Sequence, residues 1–154
     1  MVDTRNLDAL ATALMELTGC LNSPRQDDVL LREAGVTLDR ALFPLLVRLH
    51  TAAPLPVAAL AEQVGRDAST VSRQLAKLQA DGLIERTRLP EDQRTRAAAI
   101  TAQGIDTLKA ITRARRRLLN EALSDWTAQE RASFPQLALR LASAMKARVD
   151  ADRR

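Results

Sequence analysis

Apolar residues along this chain recur at two periods, and the change of period marks its organisation. From Val57 to Asp81 the period is helical, in two pieces. Leu60, Ala61 and Val64 give an apolar face to a short helix over Val57 to Val64, and Val71, Leu75 and Leu78 give a buried stripe to a longer one over Ala68 to Asp81. Pro56 suits the start of the first helix, because its fixed φ is already helical and its missing N–H is not needed there. Gly65 suits its end, where a positive φ is wanted. Asp67 stands where an N-cap belongs, able to accept from the free amides of the next turn. After Gly82 the period falls to two. Leu83, Ile84 and Arg86 open a strand, Leu89-Pro90-Glu91-Asp92-Gln93 is turn chemistry, and Arg94 to Ile100 returns as a second strand. Helix, turn, helix and hairpin in unbroken order spell a winged helix-turn-helix, expected over residues 37–100. Leu55 is placed to add one short strand beside the wing.

The flanks are helical. Leu7, Leu10, Leu14, Leu17 and Leu21 recur at spacings of three and four on a first helix from Asp3 to about Cys20, which Asn22-Ser23-Pro24 breaks. A short helix from Asp27 to Ala34 is closed by Gly35. Thr37 is expected to cap the next helix, which runs to about Thr51. Its apolar residues lie on more than one face (Leu38, Leu42, Leu45 and Leu49, then Phe43, Leu46 and Val47), the pattern of a helix buried on several sides. Thr101 caps a long helix from Ala102 to about Leu123. Thr127-Ala128-Gln129-Glu130 is a capping box, with Trp126 before it as a hydrophobic staple. The last helix carries Phe134, Leu137, Leu141, Met145 and Val149 on one stripe, and Pro135 inside it predicts a kink or a late start. The fold class is therefore mainly α with a small β-wing, in one domain spanning residues 1–154.

Polar residues on the second helix of the motif carry the candidate chemistry. Ser69, Thr70, Ser72, Arg73, Gln74 and Lys77 lie off the buried stripe, and they are the small hydroxyls, amide and long cations that contact phosphates and base edges. The start of that helix, with its dipole and free amides, favours phosphate. Arg86, Arg88, Arg94 and Arg96 stud the hairpin, as suits a wing entering a minor groove or lying on a backbone. Arg94 and Arg96, two apart on one strand, are expected to share a face. A polar helix face is ordinarily just solvated. The capped turn, the glycine stop and the basic hairpin occurring together argue for double-stranded DNA. Glu62, Asp67, Asp81, Glu85, Glu91 and Asp92 nearly cancel the local cations, so the argument rests on placement at the tips.

Leu60-Ala61, Ser69-Thr70-Val71-Ser72-Arg73, Leu78 with Gly82-Leu83-Ile84, Asp92-Gln93-Arg94-Thr95, and Ile100-Thr101 with Gly104 together resemble the MarR family of bacterial transcriptional regulators. Pro56 departs from relatives that often carry a threonine cap. The resemblance implies that Arg94, the arginine of an Asp-x-Arg wing motif, contacts DNA. It implies a homodimer interlocked through the terminal helices, residues 1–22 and 102–150, with Leu7, Leu10, Leu14, Leu137, Leu141, Met145 and Val149 in the seam. It also implies a repressor on a near-palindromic operator, relieved by a small aromatic or phenolic effector. That effector would sit between dimer helices and winged domain, at Leu17, Phe43, Leu46 and His50. The alternatives are terminal helices folded back on their own domain, and a winged helix serving as a protein–protein adaptor without DNA.

Composition narrows the field. The chain has 154 residues, 46% of them apolar but only 2% aromatic, so its core must be aliphatic. A formal net charge of +4 fits a polyanionic partner. No long uncharged apolar stretch exists to span a bilayer, and the acidic residues near the N-terminus do not suit a signal peptide. One cysteine allows no internal disulfide and fits a reducing cytoplasm. Cys20, without tyrosines or a basic neighbour, reads as inert packing. With one His and one Cys the chain offers no triad and no metal site, and it has no glycine-rich phosphate loop, so neither an enzyme nor a cofactor is expected. Arg113-Ala114-Arg115-Arg116-Arg117 spreads around its helix and reads as a solvated face.

Overall fold

The computed structural model describes residues 3–52 and 54–152. Helix α1 (Thr4–Leu21) starts on Asp3, whose side chain accepts from the Arg5 amide, and α2 (Pro24–Ala34) ends on Gly35. A 3₁₀ turn (Arg40–Leu42) runs into α3 (Phe43–Thr51). The cap here is Asp39, accepting from the Ala41 amide at 2.9 Å, where Thr37 was expected. Strand β1 (Leu55–Pro56) leads into α4 (Val57–Val64), α5 (Ala68–Ala80), β2 (Ile84–Arg88), β3 (Arg96–Ile100), α6 (Ala102–Ala122) and α7 (Ala128–Asp152). The sheet is antiparallel in the order β1-β3-β2, so the short strand at Leu55 does join the wing.

The chain falls into two compact units, residues 1–115 and 116–154. The core of the first is aliphatic throughout. Leu42, Leu45, Leu46 and Leu49 meet Leu60 of α4, the Val71, Leu75 and Leu78 stripe of α5, Ile84 of β2 and Ile111 of α6. Leu45, Leu46 and Leu49 are all fully buried, as the apolar girdle of α3 requires. Gly104 lets α6 start hard against the strands. A Cβ there would lie 2.2 Å from the Leu83 carbonyl oxygen, which only glycine permits. Thr101 fastens the same joint. Its hydroxyl donates to the Gly82 carbonyl at 2.7 Å and accepts from the Gly104 amide at 3.1 Å.

In the second unit the capping box forms as expected. The Thr127 amide donates to Glu130 Oε2 at 2.8 Å, and the Glu130 amide to Thr127 Oγ1 at 3.2 Å. Trp126 meets Phe134 edge-on, with ring centroids 5.2 Å apart, beyond the residue a staple would reach. Helix α7 begins at Ala128 and holds Pro135 inside it, so the late start does not occur. The described residues of α1 and α7 include none that is buried. No helix among the described residues is long and apolar enough to cross a membrane.

Candidate nucleic-acid interface

The turn between α4 and α5 is three residues, Gly65-Arg66-Asp67. Gly65 takes φ +66°, a left-handed value that reverses the chain without strain. Asp67 then caps α5 more fully than its residue type foretells. Its carboxylate accepts from the Thr70 amide at 2.7 Å, from Ser69 Oγ at 2.5 Å and from Thr70 Oγ1 at 2.7 Å. These bonds, the Ser69 hydroxyl first, hold its carboxyl far below the ordinary range. The Thr70 amide at this helix start is thus taken by the chain's own carboxylate. Thr70 Oγ1 also accepts from Arg73 Nη2 at 3.2 Å, which aims the guanidinium along the first turn.

The two flanks of α5 are tied down. On one side Arg66 Nη1 donates to the Ala41 carbonyl at 2.7 Å and to Gln74 Oε1 at 2.9 Å. Gln74, expected to face DNA, is half-buried in that clamp. Lys77 lies 3.6 Å from Asp39, whose carboxyl is held down by the Ala41 amide and then by the Lys77 ammonium. On the other side Arg86 Nη2 donates to the Ser72 carbonyl at 3.0 Å, bracing the wing on the helix. Ser69, Ser72 and Arg73 remain exposed.

Register explains the wing. Ile84 pairs with Ile100, Arg86 with Ala98 and Arg88 with Arg96. Opposed residues of an antiparallel pair share a face, so one face grades from apolar at the base to cationic toward the tip. Arg94 is not on that face. It lies in the turn before β3 begins at Arg96, which corrects the expectation that Arg94 and Arg96 align. The turn is built by Asp92, which accepts from the Arg94 amide at 3.0 Å and from Thr95 Oγ1 at 2.5 Å; the Thr95 hydroxyl is the chief reason its carboxyl is lowered. Arg88 Nη1 bonds back to the Arg94 carbonyl at 3.1 Å. The guanidinium groups of Arg94 and Arg96 make no hydrogen bond among the described residues and stand exposed. Ser72, Arg86, Arg88 and Arg96 line a groove of about 670 Å³ between α5 and the wing.

The other expected sites are placed as follows. Leu46 is wholly enclosed in the core and offers no surface to a ligand; Leu17 and His50 are exposed, and Phe43 is half-buried beneath Arg115, whose guanidinium lies 5.8 Å from its ring centre. Arg113, Arg115, Arg116 and Arg117 are all exposed, in keeping with the solvated face expected of that run. Cys20 is exposed, not packed. Leu7, Leu10, Leu137, Met145 and Val149 are exposed, and Leu14 and Leu141 half-buried. No group of three or more His, Cys, Asp or Glu among the described residues is arranged to hold a metal. Arg66 and Asp39 were missed by sequence reasoning, although Asp39, two residues from the expected cap, was the better capping candidate.

Residues 38–95 match the family model of the MarR family. Over 104 residues the chain is 38% identical to the uncharacterized HTH-type transcriptional regulator YxaD of Bacillus subtilis (strain 168), covering 68% of this chain and 73% of that protein. The fold is shared with a MarR family protein from Bacillus stearothermophilus at TM-score 0.78 and 18% identity, over 95% of this chain and 99% of that one. Transcriptional regulator Tm0710 from Thermotoga maritima matches at TM-score 0.70 and 22% identity, over 93% and 98%.

Proposed function

The chain belongs to the MarR family of transcriptional regulators, and from that premise we propose that it binds double-stranded DNA as a homodimer and represses transcription by occupying a near-palindromic operator. The observation that carries this reading is the Arg88–Arg96 pair. Like charges placed directly opposite on two strands destabilise the hairpin that holds them. Arg88 and Arg96 are so placed, beside Arg86 and facing a groove with Ser72 of α5. A polyanion running along that groove turns the repulsion into attraction. Arg73 then addresses the major groove, and Arg94 at the wing tip addresses backbone or minor groove.

The terminal helices supply the dimer. Helix α1 exposes Leu7 and Leu10, and α7 exposes Leu137, Met145 and Val149. Large apolar side chains exposed together along a helix mark association surfaces. A two-fold pair would set two recognition helices roughly 34–36 Å apart, one turn of DNA. A small aromatic effector would relieve repression by favouring a spacing that does not fit the operator, and it would do so only through differential affinity for the two states.

Selection from a randomised duplex library tests the reading. The expected result is an enriched motif with two inverted half-sites about 10 base pairs apart. Enrichment of no motif by a correctly folded protein would contradict it and favour a protein–protein adaptor.

A further inference from the structure

A serine hydroxyl ordinarily donates or accepts, as its partner requires. Ser69 does not have that choice. Its Oγ lies 2.5 Å from Asp67 Oδ2, and a carboxylate oxygen only accepts. The hydroxyl proton therefore lies on that line, in a charge-assisted bond of the strong kind. The carboxylate is held ionised by this bond together with those from Thr70. Thr70 is engaged too, since its hydroxyl donates to Asp67 Oδ1 at 2.7 Å and accepts from Arg73 at 3.2 Å. Exposed Ser69 consequently turns only lone pairs outward, beside a fixed negative charge.

We propose that Asp67 and Ser69 form a specificity element that accepts a hydrogen bond from an exocyclic amino group in the major groove, N4 of cytosine or N6 of adenine. This rests on the DNA-binding function proposed above. Guanine shows O6 and N7 to the major groove and thymine shows O4, all acceptors. Neither can donate to Ser69, and each brings lone pairs toward the serine oxygen and the Asp67 carboxylate. The amino hydrogens of cytosine and adenine suit both. Ser69 touches the base; Asp67 is a positioning residue that fixes the polarity of Ser69.

The test is selection from a randomised duplex library with the wild-type protein and three variants. Ser69→Ala removes the acceptor. Asp67→Gly removes every side-chain oxygen from the cap, glycine being itself tolerated at that position, and so leaves nothing to hold the Ser69 proton. Asp67→Asn keeps an oxygen for both the Thr70 amide and the Ser69 hydroxyl. Wild type is expected to enrich A or C over G and T about fivefold at one position of each half-site, as one neutral hydrogen bond permits. Ser69→Ala should flatten that position alone, Asp67→Gly should admit G and T there, and Asp67→Asn should keep the wild-type preference. Melting temperatures within a few degrees of wild type verify that the fold survives. A motif that Ser69→Ala leaves unchanged, or a Ser69-dependent position enriched in G or T, would overturn the inference while leaving the DNA-binding reading intact. A wild type that enriches no motif would overturn both.

Discussion

Each arginine of the hairpin has its own task, set by what its guanidinium already touches. Arg86 is committed to the Ser72 carbonyl and Arg88 to the Arg94 carbonyl, whereas Arg94 is exposed with its guanidinium unengaged. Arg94→Ala should therefore leave the melting temperature unchanged and weaken DNA binding nearly equally across sequences. The salt slope should fall by about one unit if Arg94 meets a phosphate. Titration of matched and mismatched duplexes checks this, and unchanged affinity would contradict a role for the wing tip. Arg86→Ala should behave differently, costing about 1 kcal/mol of stability because a hydrogen bond between wing and helix is lost. Denaturant unfolding of the two variants separates the roles. The residue types at these sites were legible in the sequence, but their partners were not. Helical spacing correctly places Gln74 and Lys77 off the buried stripe. It cannot say that Arg66 and Asp39, from other elements, will occupy that flank.

Elements were legible where a single residue type marks a boundary. Gly35, Gly65, Asp67 and the Thr127–Glu130 box all end or start helices where they should. Boundaries failed where two candidates competed. Thr37 and Asp39 are both good caps, and only the burial of Leu38 and Leu42 around the 3₁₀ turn selects Asp39. Arg94 alternates in sequence like a strand residue, yet Asp92 draws its amide into the turn. Two measurements probe the elements. Gly104→Ala forces a Cβ into the Leu83 carbonyl, so it should destabilise by about 1–3 kcal/mol, the usual result of overpacking; thermal unfolding reads it. Asp67 is depressed from 3.8 in the folded state. Its contribution to stability is complete above the unfolded value and is lost as pH falls below it. The melting temperature of wild type should fall more steeply below about pH 4 than that of Asp67→Asn, whose cap carries no charge. Equal acid limbs would mean that the Asp67 bonds do not persist in solution.

At the scale of the molecule, the apolar stripes of the terminal helices were plain in the sequence, and Leu7, Leu10, Leu137, Met145 and Val149 of those stripes stand exposed. Leu137 is 57% exposed in the protomer, so Leu137→Glu should cost the protomer little. In a dimer seam it would bury an unpaired charge, which is strongly disfavoured. Wild type is expected to sediment as a dimer at micromolar concentration and Leu137→Glu as a folded monomer. A monomeric wild type would contradict the proposed assembly.

The central claim is that α5 and the wing form one cationic surface for DNA, and salt tests it most directly. Affinity for the selected duplex should be measured across a range of salt for wild type and for an Arg88→Ala, Arg96→Ala double variant. Each phosphate neutralised lowers the slope of log K against log salt by roughly 0.9. Wild type is expected to show a steep negative slope, and the double variant a slope shallower by about two contacts. A wild-type affinity independent of salt, or identical slopes for both proteins, would contradict the account.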